Sequence, residues 1–311
     1  MRVPASVANL GGGFDTLAVA VQLYLRVRIL DVRDDGGAAL TVVTSIPPVR
    51  GRNTVERAFE AMARSTGLRA PSVSVEVTSD IPMAAGLGSS AAAAVAGVRL
   101  FEHVTQPVPE GVLLRVAASL DGHADNAAAA LHGGLTSVVE REGGEPLALR
   151  WHWPGELRLL VATPASGLAT AKARAALPDA VPRKDAVFNL QRVLSLVHAL
   201  QSGDYARLRE GVQDRLHQPA RASLVPHLAA MLALDDPEIL GAFLSGAGPS
   251  VAVVARRDFA RLEDLLRSMA ERAGAPATVR TLSVHQQVEA AQETFAVAGP
   301  EPSRGAQGKA V

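Results

Sequence analysis

Residues 82–93 read Pro-Met-Ala-Ala-Gly-Leu-Gly-Ser-Ser-Ala-Ala-Ala, and the rest of the chain is organised around them. Gly86 and Gly88 let a backbone turn tightly and come close to a ligand. Ser89 and Ser90 then open an alanine-rich run that predicts a helix, with unpaired N–H groups at its start. Those N–H groups and the positive end of the helix dipole make a seat for phosphate, and the expected cargo is a nucleoside triphosphate. The turn is not a Walker A loop, because no lysine follows the second glycine. It is not a dinucleotide fingerprint either, since a third glycine is missing. Taken alone, it is equally compatible with a tight connection from strand to helix.

Outward from this turn, Ser72 to Val77 alternates cleanly and predicts a strand, with Val73, Val75 and Val77 on one face. Residues 17–30 alternate towards their end and predict another. Asn53 to Arg64 reads as helix, as do Ser90 to Val104 and Glu110 to Ser119. The texture breaks at Trp151-His152-Trp153-Pro154-Gly155. A strand over 157–162 and a mostly helical stretch to about residue 233 follow. A second glycine-rich turn, Leu244-Ser245-Gly246-Ala247-Gly248-Pro249-Ser250, leads into a strand over 251–255. A helix over 259–273 and a strand near 279–284 complete the pattern, and residues 296–311 read as a frayed polar tail. Strands and helices mix without strict alternation, which predicts an α+β fold rather than a doubly wound sheet. The length suits two domains, over residues 1–150 and 155–295.

The chain has 311 residues, of which 48% are hydrophobic and only 4% aromatic, so its core must be built mainly from Ala, Val and Leu. Thirty-one basic residues balance thirty-one acidic ones, so no global field draws the protein to nucleic acid or to a membrane. Cysteine is absent, which removes disulfides, thiolate metal sites and cysteine nucleophiles together. No signal peptide and no run long enough to span a bilayer is read, and a cytoplasmic enzyme is expected.

Two further clusters carry chemistry. Pro4-Ala5-Ser6-Val7-Ala8-Asn9-Leu10-Gly11-Gly12-Gly13-Phe14-Asp15 sets three consecutive glycines between the polar side chains Asn9 and Asp15. Such a run costs backbone entropy and implies close approach or unusual dihedrals, a flexible hairpin being the plainer alternative. Asp121-Gly122-His123-Ala124-Asp125-Asn126 gathers two carboxylates, an imidazole and an amide that could hold Mg2+ and orient a nucleophile. The plainer alternative there is an N-cap pair, Asp125 and Asn126, at the start of an alanine-rich helix.

In this order, and with Gly246-Ala247-Gly248-Pro249 near the end, the clusters resemble the GHMP kinase superfamily, and within it the homoserine kinase family most closely. Residues 4–15 follow that family's Pro-Ala-Ser/Thr-x-Ala-Asn-Leu-Gly-x-Gly-Phe-Asp motif, and Pro82 to Ala91 follow its nucleotide loop. The Glu-Gly-His-Pro-Asp-Asn segment stands as Asp121 to Asn126, the Thr-x-x-x-Arg-x-x-Leu-Pro segment as Thr170 to Pro178, and the Pro-x-Arg segment as Pro219-Ala220-Arg221. The resemblance spans residues 2–290 and implies a ribosomal-S5-domain-2-like nucleotide domain, a C-terminal ferredoxin-like domain and a site in the cleft between them. It implies transfer of the ATP γ-phosphate to the side-chain hydroxyl of L-homoserine, and a homodimer.

Carried over by position, Pro82, Met83, Ala84, Ala85, Gly86, Leu87, Gly88, Ser89, Ser90, Ala91 and Ala92 would wrap the triphosphate, and Asn53 would lie near the adenine. Ser90 and Asp121 would hold Mg2+. Asn9 and Asp15 would take the substrate's amino group, Arg174 and Arg221 its carboxylate, with Thr170 and His123 lining the same pocket. Asn126 would stand beside the attacking hydroxyl. One anion and two cations set apart fit an amino acid. Asp125 points away from Asn126 on a helix and is expected to be structural. The sequence departs from the family in having Asp121 for Glu, Gly12 for Pro and Ala124 for Pro. A kinase of another hydroxyl, such as that of threonine or a small sugar, and a non-catalytic ATP-binding protein are the rival readings.

Overall fold

The computed structural model describes residues 1–49 and 51–286, without the side chain of Asp121. The tail expected over 296–311, and the end of the expected second domain, lie outside the described residues.

The first half builds one mixed sheet backed by helices. Its strands are β1 (Arg2–Ala8), β2 (Leu17–Arg33), β3 (Leu40–Ile46), β4 (Ser72–Ser79), β5 (Leu135–Val139) and β6 (Leu147–Trp151). They run in the order β3-β4-β2-β5-β6, with β1 on β2, and only β3 and β4 are parallel. The long strand β2 shows why the alternation was legible only towards its end. Leu17 to Val21 are all buried, whereas Val27 is buried between exposed Arg26 and Arg28. A strand covered on both faces loses the period-two signal. The same cover hides β1, six of whose seven residues are buried. Residues 4–15 are therefore strand up to Ala8, and the turn is confined to Asn9–Thr16.

Helices α1 (Thr54–Thr66), α2 (Ser89–Val104), α3 (Glu110–Asp121) and α4 (Ala124–His132) pack on this sheet. Asn53 caps α1: its side chain accepts from the Val55 N–H at 3.0 Å, while Glu56 accepts from the Asn53 N–H at 2.9 Å. Gly67 closes the helix in the left-handed conformation. Helix α4 starts earlier than an Asp125–Asn126 cap would require. His123 is its N-cap, and both side chains sit in the first turn. The alanines of α2 let α1 come so close that a Cβ on Gly97 would lie 2.3 Å from the Val55 carbonyl oxygen. Close backbone packing, together with the edge-to-face pair Phe59–Phe101, builds a dense core from few aromatics.

The second half holds β7 (Arg158–Pro164), then α5 (Thr170–Ala175), α6 (Arg183–Ser202), α7 (Leu208–Gly211), α8 (Gln218–Arg221) and α9 (Leu228–Leu232). Strands β8 (Ile239–Leu244) and β9 (Val251–Ala255), helix α10 (Phe259–Arg272) and β10 (Ala277–Leu282) follow. The sheet is antiparallel in the order β10-β7-β9-β8, the ferredoxin-like arrangement. The two sheets are not independent. Leu157, Leu159 and Val161 share one buried cluster with Val19 and Val21, and the chain returns to β2 through a His285 N–H bond to Ala20 at 2.9 Å. No helix among the described residues is long and apolar enough to cross a membrane.

His132, His217, His227 and His285 are each held below the ordinary imidazole value of 6.5, chiefly by burial. As pH falls through 6.5 the unfolded chain binds protons that the folded chain refuses, so stability is full above that value and declines below it. Calorimetric melting temperatures are expected to be level between about pH 7 and 8 and to fall below about 6.5. A melting temperature that rises on acidification from pH 7 to 6 would contradict these neutral histidines.

Candidate active site

Helix α2 begins at Gly88, whose φ is 66°, and no side chain caps its first turn. Ser89 and Ser90 follow with their N–H groups at the positive end of a 16-residue helix. The loop before it is held from behind. Ser245 Oγ donates to the Gly86 carbonyl at 2.6 Å, and the Ser250 N–H reaches the Ala85 carbonyl. Glycine is required at two points. A Cβ on Gly86 would lie 2.3 Å from the Ser245 carbonyl oxygen, and one on Gly88 would lie 2.1 Å from Ser6 Oγ.

The turn after β1 carries strain. Asn9, Leu10 and Asp15 all have positive φ, as does Ala84 in the loop before α2. Four of the six such non-glycine residues described in the chain thus gather here, as at many functional sites. Asn9 stabilises its own turn: Nδ2 donates to the Gly246 carbonyl at 2.9 Å and Oδ1 accepts from the Asp15 N–H at 3.1 Å. Asp15 then faces Arg174 in a partly exposed ion pair of 2.7 Å.

Arg221, only 2% exposed, lies beside that pair. Its Nε donates to the Ala173 carbonyl, and its Nη1 donates to the Gly246 carbonyl and to His217 Nδ1, both at 3.1 Å. Burial and the neighbouring charge of Arg174 lower its pKa, yet a guanidinium stays charged under any ordinary condition. The Phe14 ring lies between the two cations, 5.6 Å from the Arg174 guanidinium and 5.4 Å from that of Arg221.

Helix α4 brings its first turn to the same site. Ser6 Oγ donates to Asn126 Oδ1 at 2.7 Å, and Asp125 Oδ1 accepts from the Asn126 N–H and, at 3.3 Å, from its Nδ2. The Asn126 amide is therefore oriented from two sides.

These parts enclose a cavity of about 120 Å³. Asn9, Asp15, His123, Asn126, Thr170, Arg174 and Arg221 all line it, as do Pro82 and residues 84–90. A second, more apolar cavity of about 250 Å³ adjoins it, since Ala84, Ser89 and Ser90 line both. Asn53 and Met83 belong to this second cavity. Ala91 and Ala92 line neither; both are fully buried in the packing of α2. Asp121 ends α3, and its side chain lies outside the described residues. Sequence reasoning passed over Ser6, Phe14, Ala8 and Ala247, and set Asp125 aside, although Asp125 lines the first cavity. Their signal was position only: Ser6 and Phe14 fall inside the quoted N-terminal motif.

Gly88→Ala is expected to destabilise the fold by at least ~1–2 kcal/mol from left-handed strain alone. The methyl group also displaces Ser6 Oγ, so Gly88→Ala/Ser6→Ala should recover part of the loss in urea unfolding. A single variant as stable as the parent would refute the contact.

The profile described as GHMP kinases N terminal domain matches residues 53–134, and that described as GHMP kinases C terminal matches residues 196–276. A homoserine kinase of Thermus thermophilus is 41% identical over 260 residues, covering 82% of this chain and 86% of that protein. One of Solibacter usitatus is 36% identical over 278 residues, covering 86% and 89%. Among solved structures, a homoserine kinase of Cytophaga hutchinsonii superposes with a TM-score of 0.80 at 27% identity, over 92% of this chain and 94% of the other. At this identity, over this much of both chains, the chain belongs to the homoserine kinase family of ATP-dependent GHMP kinases.

Proposed function

We propose that the chain phosphorylates the side-chain hydroxyl of L-homoserine with ATP and Mg2+, forming O-phospho-L-homoserine for threonine biosynthesis. It acts in the cytoplasm as a homodimer, with residues 1–150 holding the nucleotide and 155–295 completing the cleft. The observation that carries this reading is one cavity lined both by Asp15, Arg174 and Arg221 and by the uncapped start of α2.

The acceptor is a zwitterion with two opposite charges on neighbouring groups. Asp15 and Arg174 already compensate each other across 2.7 Å, so an ammonium and a carboxylate can take their places as partners without leaving either charge bare. Arg221 adds a second, preset grip on the carboxylate. Sugars and mevalonate lack an amino group and would leave Asp15 unused. Thr170 and His123 close the wall around the carbon chain.

The phosphate end is supplied by residues 82–90, whose backbone N–H groups and helix dipole hold anionic oxygens. The adjoining apolar cavity suits the adenine, with Asn53 shaping its wall by capping α1. Ser90, on the wall of both cavities, and Asp121 would hold Mg2+. Mg2+ usually takes only one or two protein oxygens beside phosphates and water, and the Ser90 hydroxyl on the cavity wall is of that kind. Accordingly it needs no cage, and among the described residues no cluster of three or more His, Cys, Asp or Glu stands ready for a metal. When bound, the ion supplies neutralisation of phosphate charge.

Phosphoryl transfer passes through a loose transition state, where positioning and charge neutralisation count for more than a strong base. Asn126, oriented by Ser6 and Asp125, holds the attacking hydroxyl in line but cannot take its proton, which passes to an oxygen of the transferred phosphoryl group and on to solvent. Asp125 spends one oxygen on Asn126 and acts through it.

An ADP-release assay across L-homoserine, L-threonine, L-serine and mevalonate tests the acceptor, and preference for anything but L-homoserine would sink the proposal. Arg221→Ala should raise KM for L-homoserine at least about tenfold while KM for ATP moves less than about twofold. Asp121→Asn is expected to lower kcat by at least about tenfold and to flatten its dependence on Mg2+. Parental kinetics in that variant would remove Asp121 from the metal site.

A further inference from the structure

His217 takes no part in the chemistry above, yet it is completely buried between two parts of the acceptor site. Its Nδ1 stands 3.1 Å from Arg221 Nη1, and its Nε2 stands 3.0 Å from the Gly11 carbonyl oxygen. A guanidinium can only donate, so Nδ1 must accept. The ring's single proton therefore sits on Nε2, where it donates to Gly11. An imidazolium would turn an N–H against the guanidinium. Its own face stacks on Phe14, with centroids 5.1 Å apart and planes 20° apart.

We infer that His217 is a positioning residue for the acceptor, fixing Arg221 and the Asn9–Asp15 turn in one relative geometry. The inference rests on the proposed amino-acid acceptor. Arg221 has Nε and Nη1 committed to Ala173, Gly246 and His217, which leaves Nη2 to face the cavity it lines. The opposite edge of the imidazole holds the turn whose far end carries Asp15. One ring thus links the grip on the carboxylate to the grip on the ammonium.

The ring is itself held in place from outside the site. Buried Asp214 accepts from the backbone N–H groups of Leu216, His217 and Gln218, and from Asn189 Nδ2. Asn189 Nδ2 also donates to the Gly12 carbonyl, giving the turn a second tie. Gly11 must be glycine here, because a Cβ would lie 1.8 Å from the Val212 carbonyl oxygen. Asp214 Oδ2 lies 3.7 Å from Nε2, too far for a good hydrogen bond, so the Gly11 carbonyl is the ring's partner.

Three variants of the full chain separate the two bonds. His217→Asn keeps an acceptor near Nδ1 for Arg221 and loses the donor to Gly11. His217→Gln keeps a donor near Nε2 and loses the acceptor. His217→Phe loses both while keeping a ring on Phe14. We expect His217→Phe to raise KM for L-homoserine at least about tenfold, with kcat falling less and KM for ATP within about twofold. The Asn and Gln variants should each recover part of that loss, and they decide the matter if His217→Phe does not fold. Equal rises in both KM values, or an unchanged KM for L-homoserine in the folded variants, would overturn the assignment. Nitrogen-15 NMR of the parent ring should show Nε2 protonated and Nδ1 bare between about pH 6 and 8. The opposite tautomer would also overturn it. A parent enzyme that rejects L-homoserine refutes the acceptor reading alone; the tautomer and the KM of the acceptor it prefers still test His217.

Discussion

The site depends on how closely three turns can approach. Gly88 lies so near Ser6 that no Cβ fits between them, and Gly86 lies equally near Ser245 in the second glycine-rich turn. The Gly246 N–H closes the third side by donating to the Ala8 carbonyl at 3.1 Å. The start of α2, the end of β1 and the β8–β9 turn are thereby locked at one point. Polar backbone that would otherwise be buried without partners is satisfied there by other backbone. A side chain at either glycine would open the joint and separate the start of α2 from the turn that carries Asn9 and Asp15.

Around this joint the charges are arranged to remain paired. Asp15 offsets Arg174, while the buried Arg221 is surrounded by carbonyl oxygens and a neutral imidazole rather than by a carboxylate in contact. Carbonyl dipoles make its burial tolerable and leave its positive charge unspent for an incoming anion. Strained dihedrals at Asn9 and Asp15 cost free energy that the surrounding hydrogen bonds offset, which holds both residues on the cavity wall.

Much of this was legible along the chain. The helix after Gly88, the strand over 72–77 and the α+β character followed from propensity and alternation, and the structure adds only a residue or two at the ends. Strand β1 was not legible, because its alternate positions are buried alike, and β5 was not, because it buries Thr136 and exposes Val139. Strand β6 was hidden for the opposite reason, an outer position with little burial on either face. Asn126 was found by its place in a motif, but Ser6 as its partner was not. The two are 120 residues apart, and only the pairing of α4 with β1 brings them within 2.7 Å.

By itself, the sequence determined the local vocabulary of the chain: glycine where backbones must touch and serine at a helix start. Local spacing is enough for this, since turn geometry and helix starts depend on a few consecutive residues. Tertiary structure alone decided which groups are free to act. It spent Asn53 on a cap, buried Ala91 and Ala92 in the core, and drew His217 into contact with Arg221. A hydrogen bond reaches about 3 Å, and only the fold brings residues of distant segments within that distance.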